Sequence, residues 1–126
     1  MKKVFLGGTC NNSTWRETLI PMLKIDCFNP VVKDWTESSQ IEEIRQRQVC
    51  DFCLYVITKE MLGVYSIAEV VDDSNKRSKK TIFCFLEEGF EKHAIKSLKQ
   101  VAKMVESNGA KSFNSLEEVA NYLNNN

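Results

Sequence analysis

Phe52-Cys53-Leu54-Tyr55-Val56-Ile57 is the stretch on which the fold turns. It is apolar at every position and rich in β-branched and aromatic residues, the pattern of a central strand in a parallel sheet covered on both faces. Asp51 opens it and the loop Thr58 to Tyr65 follows it. Beyond that loop, Ser66 to Lys76 reads as a helix, and Thr81 to Leu86 as a second buried strand of the same kind. On the other side, Val4 to Leu6 is a short apolar strand that stops at Gly7-Gly8. Thr14-Trp15-Arg16-Glu17 then fits the S/T-x-x-E capping box, with Trp15, Leu19, Met22 and Leu23 as its apolar stripe. Pro21 is expected to kink or shorten that helix.

The alternation continues outward. Cys27-Phe28-Asn29-Pro30 reads as a strand ended by proline, and Val31 to Ser38 as an extended loop. Ser39-Gln40-Ile41-Glu42 is a second capping box, opening a polar helix to about Cys50 whose thin stripe of Ile41, Ile44 and Val49 is expected to be partly buried. Glu91 to Ser107 keeps a helical period through Ala94, Ile95, Leu98, Val101, Ala102 and Val105, and Asn108-Gly109 supplies its cap. Lys111 to Phe113 is an edge strand. Ser115-Leu116-Glu117-Glu118 opens a last helix carrying Val119, Ala120 and Leu123. Strand and helix alternating in this way predict one α/β domain over residues 1–126, a doubly wound, flavodoxin-like parallel sheet of order 2-1-3-4-5.

Composition narrows the function classes. A chain that is 43% hydrophobic and 27% charged carries enough apolar surface for a core, which excludes a disordered protein. Seventeen Lys plus Arg balance seventeen Asp plus Glu, so no global field attracts a nucleic-acid polymer. The apolar runs fall far short of the roughly 20 residues that span a bilayer. The amino-terminal Met1-Lys2-Lys3-Val4 stretch lacks the apolar core of a signal peptide, so a cytoplasmic protein is expected. Five cysteines, three of them inside apolar runs, are expected as free thiols. Cys50-x-x-Cys53 has neither a second pair nor a nearby His, which favours a core role over zinc or redox chemistry. No metal or cofactor is expected. The single His, His93, shares an outward helix face with Lys96, Lys99 and Lys103, so no Ser-His-Asp or Cys-His set is available.

In sheets of this order ligands bind beyond the carboxyl ends of the strands, near the switch point between strands 1 and 3. Three loops reach that place. The first, Gly7-Gly8-Thr9-Cys10-Asn11-Asn12-Ser13, could cradle an anion with its backbone N–H groups or merely turn into a helix. It matches neither G-x-G-x-x-G nor the Walker pattern. The second carries Asn29, Asp34 and Trp35, whose indole could stack on a base or sugar or else cover the core. The third delivers Gly63, Tyr65 and Ser66, and then Glu69, Asp72 and Asp73 on one helix face. Clustered carboxylates separate one another's pKa values, which suits acid and base roles. As structural alternatives, Ser66 and Glu69 form a capping box, and Asp72 and Asp73 can pair with Lys76 and Arg77.

Val4-Phe5-Leu6-Gly7-Gly8, Asp51 before the central strand, Gly63 through Glu69 after it and Lys80-Thr81-Ile82-Phe83-Cys84-Phe85 beyond together resemble the nucleoside 2-deoxyribosyltransferase superfamily, which includes the 2'-deoxynucleoside 5'-phosphate N-hydrolases. The resemblance covers roughly residues 3 to 90. It implies that Glu69 is a nucleophile toward an anomeric carbon and that an acidic partner falls at Glu42 or Glu43, with Glu43 carried over; Asp51 begins a strand, at the wrong edge of the sheet for chemistry, and is expected to be structural. Gly7, Gly8, Thr9 and Asn11 would hold substrate, Trp15 or Trp35 would stack the base, and a homo-oligomer would complete the site. The implied activity is cleavage of the N-glycosidic bond of a nucleoside or nucleotide, by hydrolysis or base exchange. The competing expectation is a noncatalytic nucleotide or nucleotide-sugar binding module, with a ligand-free interaction domain as a third reading.

Overall fold

In the computed structural model, which describes residues 1–126, the elements run β1 (Lys3–Gly8), α1 (Trp15–Leu19), a 3-10 turn (Ile20–Met22), β2 (Asp26–Phe28), α2 (Glu37–Val49), β3 (Phe52–Ile57), α3 (Tyr65–Lys76), a second 3-10 turn (Ser78–Lys80), β4 (Thr81–Phe85), α4 (Lys92–Ser107), β5 (Lys111–Phe113) and α5 (Leu116–Asn125). All strand pairs are parallel and the order is β2-β1-β3-β4-β5, as the alternation predicts. Every residue of β3 is buried, because alternate side chains enter two separate cores. Leu54 and Val56 join Val4, Leu6, Ile82 and Cys84 under α1 and α5, through Trp15, Leu19, Leu116 and Leu123. Cys53, Tyr55 and Ile57 join Phe5, Phe83 and Phe85 under α3 and α4, through Val70, Leu98 and Val105. Each such aliphatic or aromatic side chain contributes about 1.5–3 kcal/mol relative to exposure.

Helix ends differ in part from the sequence pattern. Ser115 caps α5 by accepting from the Glu118 N–H at 3.2 Å, as its box predicts. Thr14 precedes α1 but its side chain caps nothing, and α1 gives way after Leu19 to a turn containing Pro21. α2 starts two residues before Ser39: Thr36 is the cap, its hydroxyl accepting from the Ser39 N–H at 3.2 Å. α3 follows Val64 with no side-chain cap, so Ser66 lies inside the first turn and no Ser66–Glu69 box forms.

The expected apolar stripe of α2 is also reversed. Ile41, Ile44 and Val49 are exposed, at 61%, 46% and 58%, while Gln46 and Arg47 are buried. The cause lies across the helix interface, where α3 presents carboxylates rather than apolar groups.

Asp51 sits at the amino edge of the sheet and accepts the Lys3 N–H at 2.8 Å, which ties β3 to β1. All five cysteines are unpaired, and Cys50, Cys53 and Cys84 lie in the core. Burial pushes the Cys53 and Cys84 thiols up to about 12, so both are inert hydrophobes. No helix is long and apolar enough to cross a membrane.

Candidate active site

The carboxyl end of β1 is built for close approach. Gly8 has φ +117°, and a Cβ there would stand 2.0 Å from the Val56 carbonyl oxygen. A Cβ on Gly7 would meet the Tyr55 ring at 2.7 Å. Glycines at both positions leave bare backbone as a floor. The loop beyond is pinned on the β3 side, with the Thr9 N–H donating to Val56 O at 2.9 Å and the Thr58 N–H to Thr9 Oγ1 at 3.0 Å. Arg16 reaches under it, donating to Leu6 O at 2.9 Å and 3.1 Å and to Thr9 O at 2.8 Å. It makes no ion pair. Burial lowers its pKa from the ordinary arginine value, opposed by neighbouring Cys10 and Glu17.

Above that floor a cavity of about 360 Å³ opens between the β1 loop, the Pro30–Trp35 loop, α2 and the start of α3. The volume falls in the range of small-molecule sites. Gly7, Gly8, Trp35, Glu43, Tyr65, Ser66 and Glu69, all expected from the sequence, line it. Thr9, Asn11 and Gly63 line an adjoining hollow of about 170 Å³, which shares Gly8, Cys10, Tyr65 and Ser66 with the cavity. Three expected residues line neither. Trp15 is buried against the sheet and donates its indole N–H to Thr9 O at 2.8 Å, so it supports the loop instead of stacking on a ligand. Asn29 is exposed and accepts the Val31 N–H at 3.1 Å in a local turn. Asp34 is exposed on the loop outside the cavity.

Arg47 and Arg16 complete the lining, with Phe5, Gln40, Ile44, Val31 and Val32. Gln40, Glu43, Ile44 and Arg47 follow the i, i+3, i+4, i+7 spacing, so they share one face of α2. That period carried by polar residues was the available signal; a search for apolar stripes alone passes over it.

Charge is concentrated where α2 meets α3. Glu69 is only 7% exposed, and its Oε2 has no hydrogen-bond partner. Arg47 Nη1 lies 3.5 Å away. Burial first, and then the facing Glu43 carboxyl, hold Glu69 well above the usual carboxylate range; Arg47 opposes the shift and Asp73 adds to it. Glu42 points away, bonded to Arg45 at 2.9 Å and 3.1 Å and to Gln46 at 2.8 Å, and these donors hold it down at about 2. Of the two acidic candidates on α2, it is therefore Glu43 that faces Glu69.

Arg47 itself is clamped. It donates to Asp73 at 2.8 Å and 3.3 Å and to Asp72 at 3.2 Å. Burial is the largest single influence and works against its charge, but the bond to Asp73 together with the surrounding Tyr55, Asp73 and Glu69 outweighs it and keeps the Arg47 pKa above the ordinary arginine value. Asp73, fully buried, also accepts from Arg77 and from the Tyr55 hydroxyl, while Asp72 pairs with Lys76 at 3.1 Å. The i, i+4 pairs expected from the sequence are thus present, but Glu69 and Asp73 face inward.

A family model described as nucleoside 2-deoxyribosyltransferase like matches residues 1–89, which span β1 through β4 and every residue lining the cavity. The chain belongs to the nucleoside 2-deoxyribosyltransferase-like family. Membership supports a nucleoside-related role in glycosyl transfer or hydrolysis. α4, β5 and α5 lie beyond the match and complete the sheet and both cores. A comparison with curated proteins returns no match. For a family of this kind the cavity offers a backbone floor, apolar lips at Val31, Val32 and Trp35, and two facing carboxyls.

Proposed function

We propose that this protein cleaves the N-glycosidic bond of a nucleoside or nucleotide, releasing the base to water or exchanging it for another. The observation that carries this reading is the Glu43–Glu69 pair, two carboxyls facing one cavity with an unpartnered oxygen on Glu69. A buried carboxyl that keeps its proton beside a second carboxyl puts an acid and a base in the same place. Glycosidic cleavage needs that combination. The proton held on Glu69 passes by way of Glu43 to the departing base, and Glu69, ionised by that transfer, attacks the anomeric carbon, whose oxocarbenium-like transition state it stabilises. A glycosyl ester on Glu69 then forms as the C–N bond breaks. Water or a second base, deprotonated by Glu43, attacks the same carbon and frees Glu69. Trp35 stacks the base, and the Gly7-Gly8 floor lets the sugar approach the strand ends.

A homo-oligomer accompanies this reading. The exposed Leu62, Val64 and Tyr65 at and just before the start of α3 are its candidate contacts, and light scattering coupled to size exclusion reports the mass. A reducing cytoplasm, in which five unpaired cysteines persist, is the compartment expected.

The test is chromatography of deoxynucleosides and deoxynucleotides incubated with the protein, beside Glu69→Ala and Glu43→Gln. Free base is expected from the unaltered protein, none from Glu69→Ala, and a rate lower by on the order of 10²-fold from Glu43→Gln. Base release that survives Glu69→Ala refutes the assignment of the nucleophile.

A further inference from the structure

α2 lacks the apolar anchor that fixes the other long helices. Its apolar side chains Ile41, Ile44 and Val49 are exposed, and its buried residues are Gln46 and Arg47. α2 nevertheless carries Glu43, so the distance between the two carboxyls is set by whatever holds α2 against α3. Arg47 makes the contacts that do so, on half-exposed Asp72 at 3.2 Å, beside Glu69 at 3.5 Å and chiefly on buried Asp73 at 2.8 Å and 3.3 Å, the last backed by Tyr55 from the sheet and Arg77 from the end of α3. Neither Asp73 nor Tyr55 lines the cavity.

We propose that Asp73 and Tyr55 are positioning residues: they fix the guanidinium of Arg47 between Asp73 and Glu69, and through it they set both the placement of Glu43 and the charge that Glu69 feels. Tyr55 and Arg47 Nε compete for the same oxygen, Asp73 Oδ2. Removing the phenol lets the guanidinium close fully on Asp73 and withdraw from Glu69, which then binds its proton more tightly. Removing the Asp73 charge has the opposite effect, since Arg47 is released toward Glu69 and a nearby anion is lost. The groups facing Glu69 are Glu43 and Arg47 from α2, Asp73 from its own helix and Tyr55 from β3, with Arg16 and Cys10 across the cavity. Of these, only the Tyr55–Asp73 pair acts on Glu69 through Arg47 without entering the cavity.

The inference rests on the glycosidase reading for its kinetic consequence alone, so the deciding measurement needs no turnover. Protein labelled with glutamate enriched in 13C at the side-chain carboxyl is titrated by NMR, and the Glu69 signal is assigned by its loss in Glu69→Gln. Tyr55→Phe is expected to move the Glu69 titration to higher pH and Asp73→Asn to move it lower, the latter by about one unit. General loosening of the fold would move both variants the same way. Shifts of one sign, or no shift in either, overturn the proposal. Asp73→Asn leaves a buried guanidinium without its main partner and can fail to fold. In that event Tyr55→Phe decides alone: an upward shift supports the proposal, and a downward or absent shift overturns it. If base release is found, a kcat reduced on the order of 10²-fold in Asp73→Asn is expected from the displaced carboxyl pair. Absence of base release from the unaltered protein refutes the glycosidase reading and leaves the NMR outcome standing.

Discussion

Replacing Glu69 with Gln should raise stability at alkaline pH while abolishing turnover, because the carboxyl is kept at a cost to the fold. Its folded-state pKa is raised, toward about 9, chiefly by burial, above the value of roughly 4.3 for a free glutamate. A group shifted in this direction contributes its stability fully below the ordinary carboxylate range and loses it as pH rises through the folded pKa. Each pH unit across that window costs about 1.4 kcal/mol when one proton separates the two states. The open cavity and Arg47 at 3.5 Å both reduce the penalty, so about 2 kcal/mol by pH 8 is the working figure. Gln fills the same volume, does not titrate, and can donate its amide to Glu43. At roughly 4 °C per kcal/mol for a chain of this size, Glu69→Gln should melt about 8 °C above the unaltered protein at pH 8. At pH 5 the two should nearly coincide. Circular-dichroism melts in steps from pH 5 to pH 8.5 measure the difference. A variant that melts lower at every pH with an unchanged slope would refute the claim that burial of Glu69 opposes its ionisation.

Trp35→Ala should raise KM about tenfold with kcat changed little, since stacking on a base is worth about 1–3 kcal/mol and acts on binding; steady-state kinetics separate the two constants, and an unchanged KM removes the indole from the site. Gly8→Ala forces a Cβ to 2.0 Å from Val56 O at φ +117°. It should destabilise the protein by about 3 kcal/mol or more, seen as a lowered urea midpoint.

Where apolar side chains decide an element, the residues predict it. The unbroken 52–57 and 81–85 runs are buried strands, and the 3.6 period of α4 matches its buried Leu98, Ala102 and Val105. From these the sheet order follows, and with it the edge where Gly7, Gly8, Glu43, Tyr65 and Glu69 come together. What was not legible depended on a partner distant in sequence. Arg47 on a polar helix reads as a solvated charge until α3 sets Asp73 and Glu69 opposite it. Trp15 and Trp35 are equivalent as stacking candidates until packing places one beneath the loop and the other on the lip of the cavity. Capping boxes are ambiguous for a similar reason. Ser115 follows the short β5 and caps its helix, whereas Ser39 and Ser66 lie within the first turn of helices whose starts are set by the preceding loops.

Because the bottom of the cavity is main chain at Gly7 and Gly8, with no room for a side chain at residue 8, substrate preference under the proposed activity cannot be altered from below. Any change in which base or sugar is accepted has to come from the rim, at Val31, Val32, Trp35, Ile44 and Tyr65. Those five positions are the ones to randomise in a library, and descendants of this protein that acquired new substrates would have done so there while residues 7 and 8 stayed fixed.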